Sequence, residues 1–65
     1  MDKFAENLRT IRRRKGLTQL ELAKISGISN NQLCKYEMGY SNPNIQFVEW
    51  LCKALDVSSK ELLGF

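Results

Sequence analysis

The sequence predicts an all-α domain of five short helices, and three observations predict it. Apolar residues recur three and four positions apart, as Phe4, Leu8 and Ile11 do, which is the period of one helix face. Three times a Ser or Thr stands three residues before a Glu or Gln, the signature of a capped helix start: Thr18 with Glu21, Ser29 with Gln32, Ser58 with Glu61. Long Val/Ile/Thr runs that would favour strands are missing, and only one proline and four glycines punctuate the chain.

The first helix is expected from about Asp2 to Arg14, with Asp2 as N-cap, Gly16 as the stop and Phe4, Leu8 and Ile11 inward. The second follows Thr18, carries Leu22, Ala23 and Ile25, and ends near Ser26. Gly27 there suits a left-handed turn. The third starts at Ser29, turns Leu33 and Tyr36 inward and stops at Gly39. Tyr40 to Asn44 reads as a loop, because Pro43 disfavours helix at Asn42. The fourth runs from about Asn44 to Leu55 with Ile45, Val48, Leu51, Cys52 and Leu55 as its apolar stripe. Phe47 and Trp50 lie off that stripe, where they either cover the domain or form an exposed patch. The fifth is capped by Ser58 and carries Leu62 and Leu63. At 65 residues the chain makes one domain, 1–65, with a thin core, and its 43% hydrophobic content is enough to fold.

Composition removes several functions. There is no histidine, so His-activated nucleophiles and His metal sites are out. Cys34 and Cys52 are too few for a disulfide framework, and no zinc spacing or Gly-rich phosphate loop appears. No apolar run approaches the ~20 residues of a membrane span, and the charged N-terminus is no signal peptide. A cytoplasmic, non-enzymatic protein with reduced thiols and no metal, cofactor or small-molecule ligand is expected. The net charge of +3 says little, but five of the ten cations cluster as Arg9, Arg12, Arg13, Arg14 and Lys15. They read either as a solvated helix end that complements the dipole or as a phosphate-facing patch.

The informative stretch is Gln19 to Gly39, two short helices about a tight turn. Ala23 is small where they would cross, and a larger side chain there would overpack by about 1–3 kcal/mol. With Ile28, Leu33 and Tyr36 inward, Asn30, Asn31, Gln32 and Lys35 point outward. Such side chains read base edges and phosphates. This is the pattern of a helix-turn-helix whose second helix enters the DNA major groove. Cys34 lies in the same outward arc. Nothing in the sequence supports a redox switch there, and a small filler suffices. Cys52 reads as packing.

Gln19, Leu22, Ala23, Gly27, Ile28, Ser29, Leu33, Tyr36, Glu37 and Gly39 resemble, position by position, the phage repressor and Cro-type (XRE-like) helix-turn-helix family. Asn42-Pro43-Asn44 and the run Ala54 to Ser58 are similar to its later helices, so the resemblance covers Phe4 to Leu63. It implies a lambda-repressor-like five-helix fold and a sequence-specific transcriptional regulator that binds double-stranded DNA as a dimer on a palindromic operator. It implies base reading by Asn30, Asn31 and Lys35, with Cys34 on the same face. An asparagine can pair with adenine through two hydrogen bonds. The resemblance implies phosphate contacts from Gln19, Tyr40, Ser41, Asn42 and Asn44, with Gln32 at the groove edge facing either phosphate or base. It pairs Glu37 with Arg12 as a structural ion pair, and it places dimerisation near Leu62, Leu63 and Phe65. The alternative is a protein-interaction module of a regulator or antitoxin pair, using Phe47, Trp50, Leu63 and Phe65.

Overall fold

The computed structural model describes residues 2–40 and 43–64. It contains α1 (Asp2–Arg14), α2 (Gln19–Ser26), α3 (Asn30–Met38), α4 (Ile45–Leu55) and α5 (Ser59–Leu63), and no strand among the described residues. Ser41, Asn42 and Phe65, expected at the DNA backbone and the dimer contact, lie outside the described residues.

Each helix start after α1 is made by one short polar side chain accepting a backbone N–H, worth about 1 kcal/mol apiece. Thr18 Oγ1 accepts from Glu21 N at 3.1 Å while Thr18 N donates to Glu21 Oε1 at 2.8 Å, a complete capping box. Ser29 and Ser58 make only the forward half, accepting from Gln32 N and Glu61 N at 3.2 Å. The three expected boxes thus reduce to one. A neutral Gln32 amide is a weaker return acceptor than a carboxylate; nothing in the structure explains why Glu61 does not close. Asn44 is the N-cap of α4, its Oδ1 accepting from Phe47 N at 2.9 Å, so it precedes the helix rather than opening it. Asp2 is the first residue of α1.

Two glycines set the direction of α3. Gly27 has φ 80° and turns the chain between α2 and α3; Gly39 has φ 80° and closes the C-terminus of α3. A side chain at either would adopt a left-handed conformation that L-residues disfavour. Asp56 does adopt it, with φ 57°, at the end of α4.

The core is one cluster. α1 packs against α3 and α5, α2 against α3 and α4, and α4 against α5. Leu8, Leu22, Leu33, Tyr36, Leu51, Leu55 and Leu62 are fully buried at its centre, and Ala23 and Ile28 are buried beside them. Ala5 is buried as well, a position the Phe4–Leu8–Ile11 stripe does not include. The Tyr36 ring sits edge-on to Phe4 at 5.9 Å and to Phe47 at 5.5 Å, and Phe47 continues edge-on to Trp50 at 5.3 Å. Such pairs add about 0.5–1.5 kcal/mol beyond burial. Phe47 and Trp50 therefore extend the core outward, with Trp50 at the surface.

Three apolar expectations fail. Ile25 and Ile45 are exposed, Ile45 by 77%. At about 100° per residue, Ile25 lies about 110° from the midpoint of Leu22 and Ala23, and Ile45 about 90° from that of Val48, Leu51 and Leu55. Neither belongs to the stripe that its spacing suggested. Leu62 is 0% exposed and its carbonyl accepts from Asn7 Nδ2 at 3.2 Å. It holds α5 onto α1 and is not available as a surface contact between copies.

Candidate nucleic-acid interface

The placement of α3 follows from which of its residues are buried. Leu33, Tyr36 and Glu37 form the inward side. Asn30, Asn31, Lys35 and Met38 are exposed, and Gln32 and Cys34 half-buried. Asn31 and Lys35 therefore share the middle of the exposed side, with Asn30 and half-buried Gln32 at its opposite flanks. Met38, absent from the expected outward set, joins them.

Glu37 explains why α3 is held in one orientation. It is 2% exposed, and a buried carboxylate is costly unless its oxygens are satisfied. Arg12 Nε donates to Oε2 at 2.6 Å, Arg12 Nη2 to Oε1 at 3.1 Å and Gln19 Nε2 to Oε1 at 3.1 Å. The expected Arg12–Glu37 pair is present, with two parallel donors that fix geometry as well as charge. Arg12 Nη1 also donates to the Leu17 carbonyl at 2.8 Å, tying the α1–α2 link to the same group. Arg9 Nη1 donates to the Glu37 backbone carbonyl, a contact that sequence reasoning missed. Its only signal was position: Arg9 is three residues before Arg12, on an adjoining part of the α1 surface.

Gln19 is thus a brace between the start of α2 and the buried carboxylate. Arg9 and Arg12, two of the clustered cations, point inward to α3. Arg14 and Lys15 line a groove with Asp56 and Glu61 beside the α4–α5 link. The cluster is neither a simple helix-end decoration nor a single phosphate-facing patch. Tyr40 is exposed directly after α3, and Asn44 is occupied as a cap.

The thiols differ. The Cys34 thiol donates to Met38 Sδ at 3.6 Å on the outward side of α3. Burial pushes the Cys52 thiol above its ordinary pKa, with Glu49 and Glu61 adding to the shift, so it stays protonated and inert.

No group of three or more Cys, Asp or Glu able to hold a metal occurs among the described residues. None of the helices is long and apolar enough to cross a membrane.

This arrangement matches the helix-turn-helix family model over residues 8–62. The chain belongs to the helix-turn-helix family. Helix-turn-helix domains of this family bind DNA, and the chain is a DNA-binding domain of that kind. It is 37% identical over 61 residues to the antitoxin PezA of Streptococcus pneumoniae, covering 94% of this chain and 39% of that protein. It is 42% identical over 57 residues to the HTH-type transcriptional regulator y4dJ of Sinorhizobium fredii, covering 88% of this chain and 74% of that one. The crystal structure of the restriction-modification controller protein C.AhdI from Aeromonas hydrophila superposes with a TM-score of 0.90 at 36% identity, covering 94% of this chain and 92% of that one. This helix-turn-helix domain thus spans about two fifths of the length of PezA and nearly all of C.AhdI.

Proposed function

We propose that this chain is a sequence-specific regulator that lays α3 in the major groove of double-stranded DNA and binds as a pair of copies on a palindromic site, with residues 1–65 acting as one binding domain. The observation that carries the reading is the division of α3: Leu33, Tyr36 and Glu37 are buried, so Asn30, Asn31 and Lys35 face out together. Asn30 and Asn31 would pair with adenine edges, and Lys35 with guanine or phosphate. Gln32, Tyr40, Ser41, Asn42 and Asn44 would meet the backbone, Gln19 adding a contact from its bracing position. A protein acting on DNA in this way works in the cytoplasm, where its thiols stay reduced.

Dimerisation on α4 and α5 is supported by an apolar groove formed by Pro43, Ile45, Val48 and Leu63, bordered by Glu49. Glu49 and Lys53 lie one turn apart on exposed α4, so an antiparallel second copy would set each against the opposite charge of its partner. Ile45→Lys should shift the protein to monomers in sedimentation while leaving it folded.

Site selection from random duplexes tests the whole. Two half-sites about one helical turn apart are expected. Asn30→Ala with Asn31→Ala should abolish sequence preference, and full preference in that variant would refute the reading. The second reading, a protein-interaction module, is favoured by Trp50, 38% exposed on top of Phe47, and by the likeness to a protein named an antitoxin. Salt separates the two, since DNA binding weakens steeply as salt rises and an apolar contact does not.

A further inference from the structure

The outward side of α3 is not uniformly polar. Cys34, Lys35 and Met38 stand three, four and seven residues beyond Asn31, one stripe of the helix. Met38 is 56% exposed, and its Sδ lies 3.6 Å from Cys34 Sγ. Met38 and Cys34 thus put a soft apolar contact on the same exposed side as the Asn31 amide and the Lys35 ammonium, with Met38 one turn beyond Cys34 and Lys35. No packing duty accounts for Met38, because the buried side of α3 is Leu33, Tyr36 and Glu37.

The major groove presents donors and acceptors on every base pair, and one distinctive apolar group, the C5 methyl of thymine. Methionine is unbranched and polarizable and adapts to such a surface. We infer that Met38, with Cys34 beside it, reads thymine methyl groups and so determines specificity alongside the two asparagines. This rests on α3 entering the major groove. Met38 lies seven residues beyond Asn31, about 10 Å along the helix. A helix lying in the groove is inclined to the DNA axis, so at about 3.4 Å per base pair the methyl it meets lies at most about three base pairs from the pair that Asn31 contacts.

The test uses the whole chain and the duplex it selects from random sequence. Each thymine is replaced in turn by deoxyuridine, which removes the methyl and leaves every hydrogen-bonding edge intact. The wild-type protein should lose about fourfold in affinity at one or two thymines per half-site, the effect of one buried methyl. Met38→Ala should bind thymine and uracil duplexes equally at those positions, Met38→Leu should keep the preference, and Cys34→Ser should reduce it. Thermal melts of these surface variants should match wild type. Equal binding of every uracil duplex by the wild type, or an undiminished uracil penalty in Met38→Ala, overturns the inference and leaves the asparagine reading standing. A protein that selects no sequence at all overturns both.

Discussion

Removing the Glu37 carboxylate is the sharpest test of how α3 is held. Glu37→Ala leaves the Arg12 guanidinium, whose side chain is 11% exposed, beside a vacated buried site with three hydrogen bonds lost: two from Arg12 and one from Gln19. Breaking a buried pair from one side costs about 3–5 kcal/mol, because the remaining charge keeps its desolvation penalty without its partner. A domain of this size holds about 3–10 kcal/mol in total. At about 4–8 °C per kcal/mol, the midpoint should fall by more than about 12 °C in a melt followed by helical circular dichroism. The cost is set by the orphaned charge rather than by the attraction, so Arg12→Met combined with Glu37→Met should be less destabilising than the two single changes added together, with a coupling above about 1 kcal/mol. A loss below about 1 kcal/mol in Glu37→Ala, or strict additivity in the double variant, would refute the reasoning.

Other changes test the frame around it. Ala23→Leu should cost about 1–3 kcal/mol in urea unfolding, because buried Ala23 sits in the core cluster where α2 packs against α3 and α4. Thr18→Ala removes the acceptor for Glu21 N and should cost about 1 kcal/mol, read as a lower thermal midpoint. Asp56→Gly relieves the left-handed backbone at the end of α4 and should raise stability by about 0.5–1 kcal/mol. The Cys52 pKa is raised above 9.0 by burial, then by Glu49 and Glu61, so the folded state binds more protons than the unfolded one above that value. Its contribution is complete below about pH 9 and is lost as pH rises towards the folded pKa; Cys52→Ala should flatten that part of the stability curve relative to wild type.

Much of this was legible because it is local. A hydroxyl three residues before a backbone N–H defines a helix start from sequence alone, and the Thr18, Ser29 and Ser58 caps all form. Gly27 and Gly39 mark the ends of α2 and α3 because few other residues accept their backbone angles. Leu33 and Tyr36 follow from helical period. The features that escaped depend on what lies across the fold. Ile45 satisfies the spacing of α4 but no neighbouring helix covers its angle, so period alone mistook it for core. Leu62, near the chain end, looked like a free apolar surface, yet α5 turns it into the centre of the domain. Arg9 has a long side chain with many possible acceptors, and only the approach of α1 to the end of α3 selects the Glu37 carbonyl. Of the site, the asparagines were visible because they are short and polar on a helix whose other side is greasy. Met38 was not, because one methionine near a helix end carries no signal until its exposure is known.

The tethers on α3 all attach on its inward side: two arginines from α1, one amide from α2, and the packed rings around Tyr36. Substitutions on the outward stripe therefore leave the folding free energy nearly untouched. On the proposed reading, mutational drift there changes which DNA sequence is recognised one letter at a time, without passing through an unstable ancestor. A scaffold wired in this way is evolvable at its reading edge and intolerant everywhere that edge is anchored.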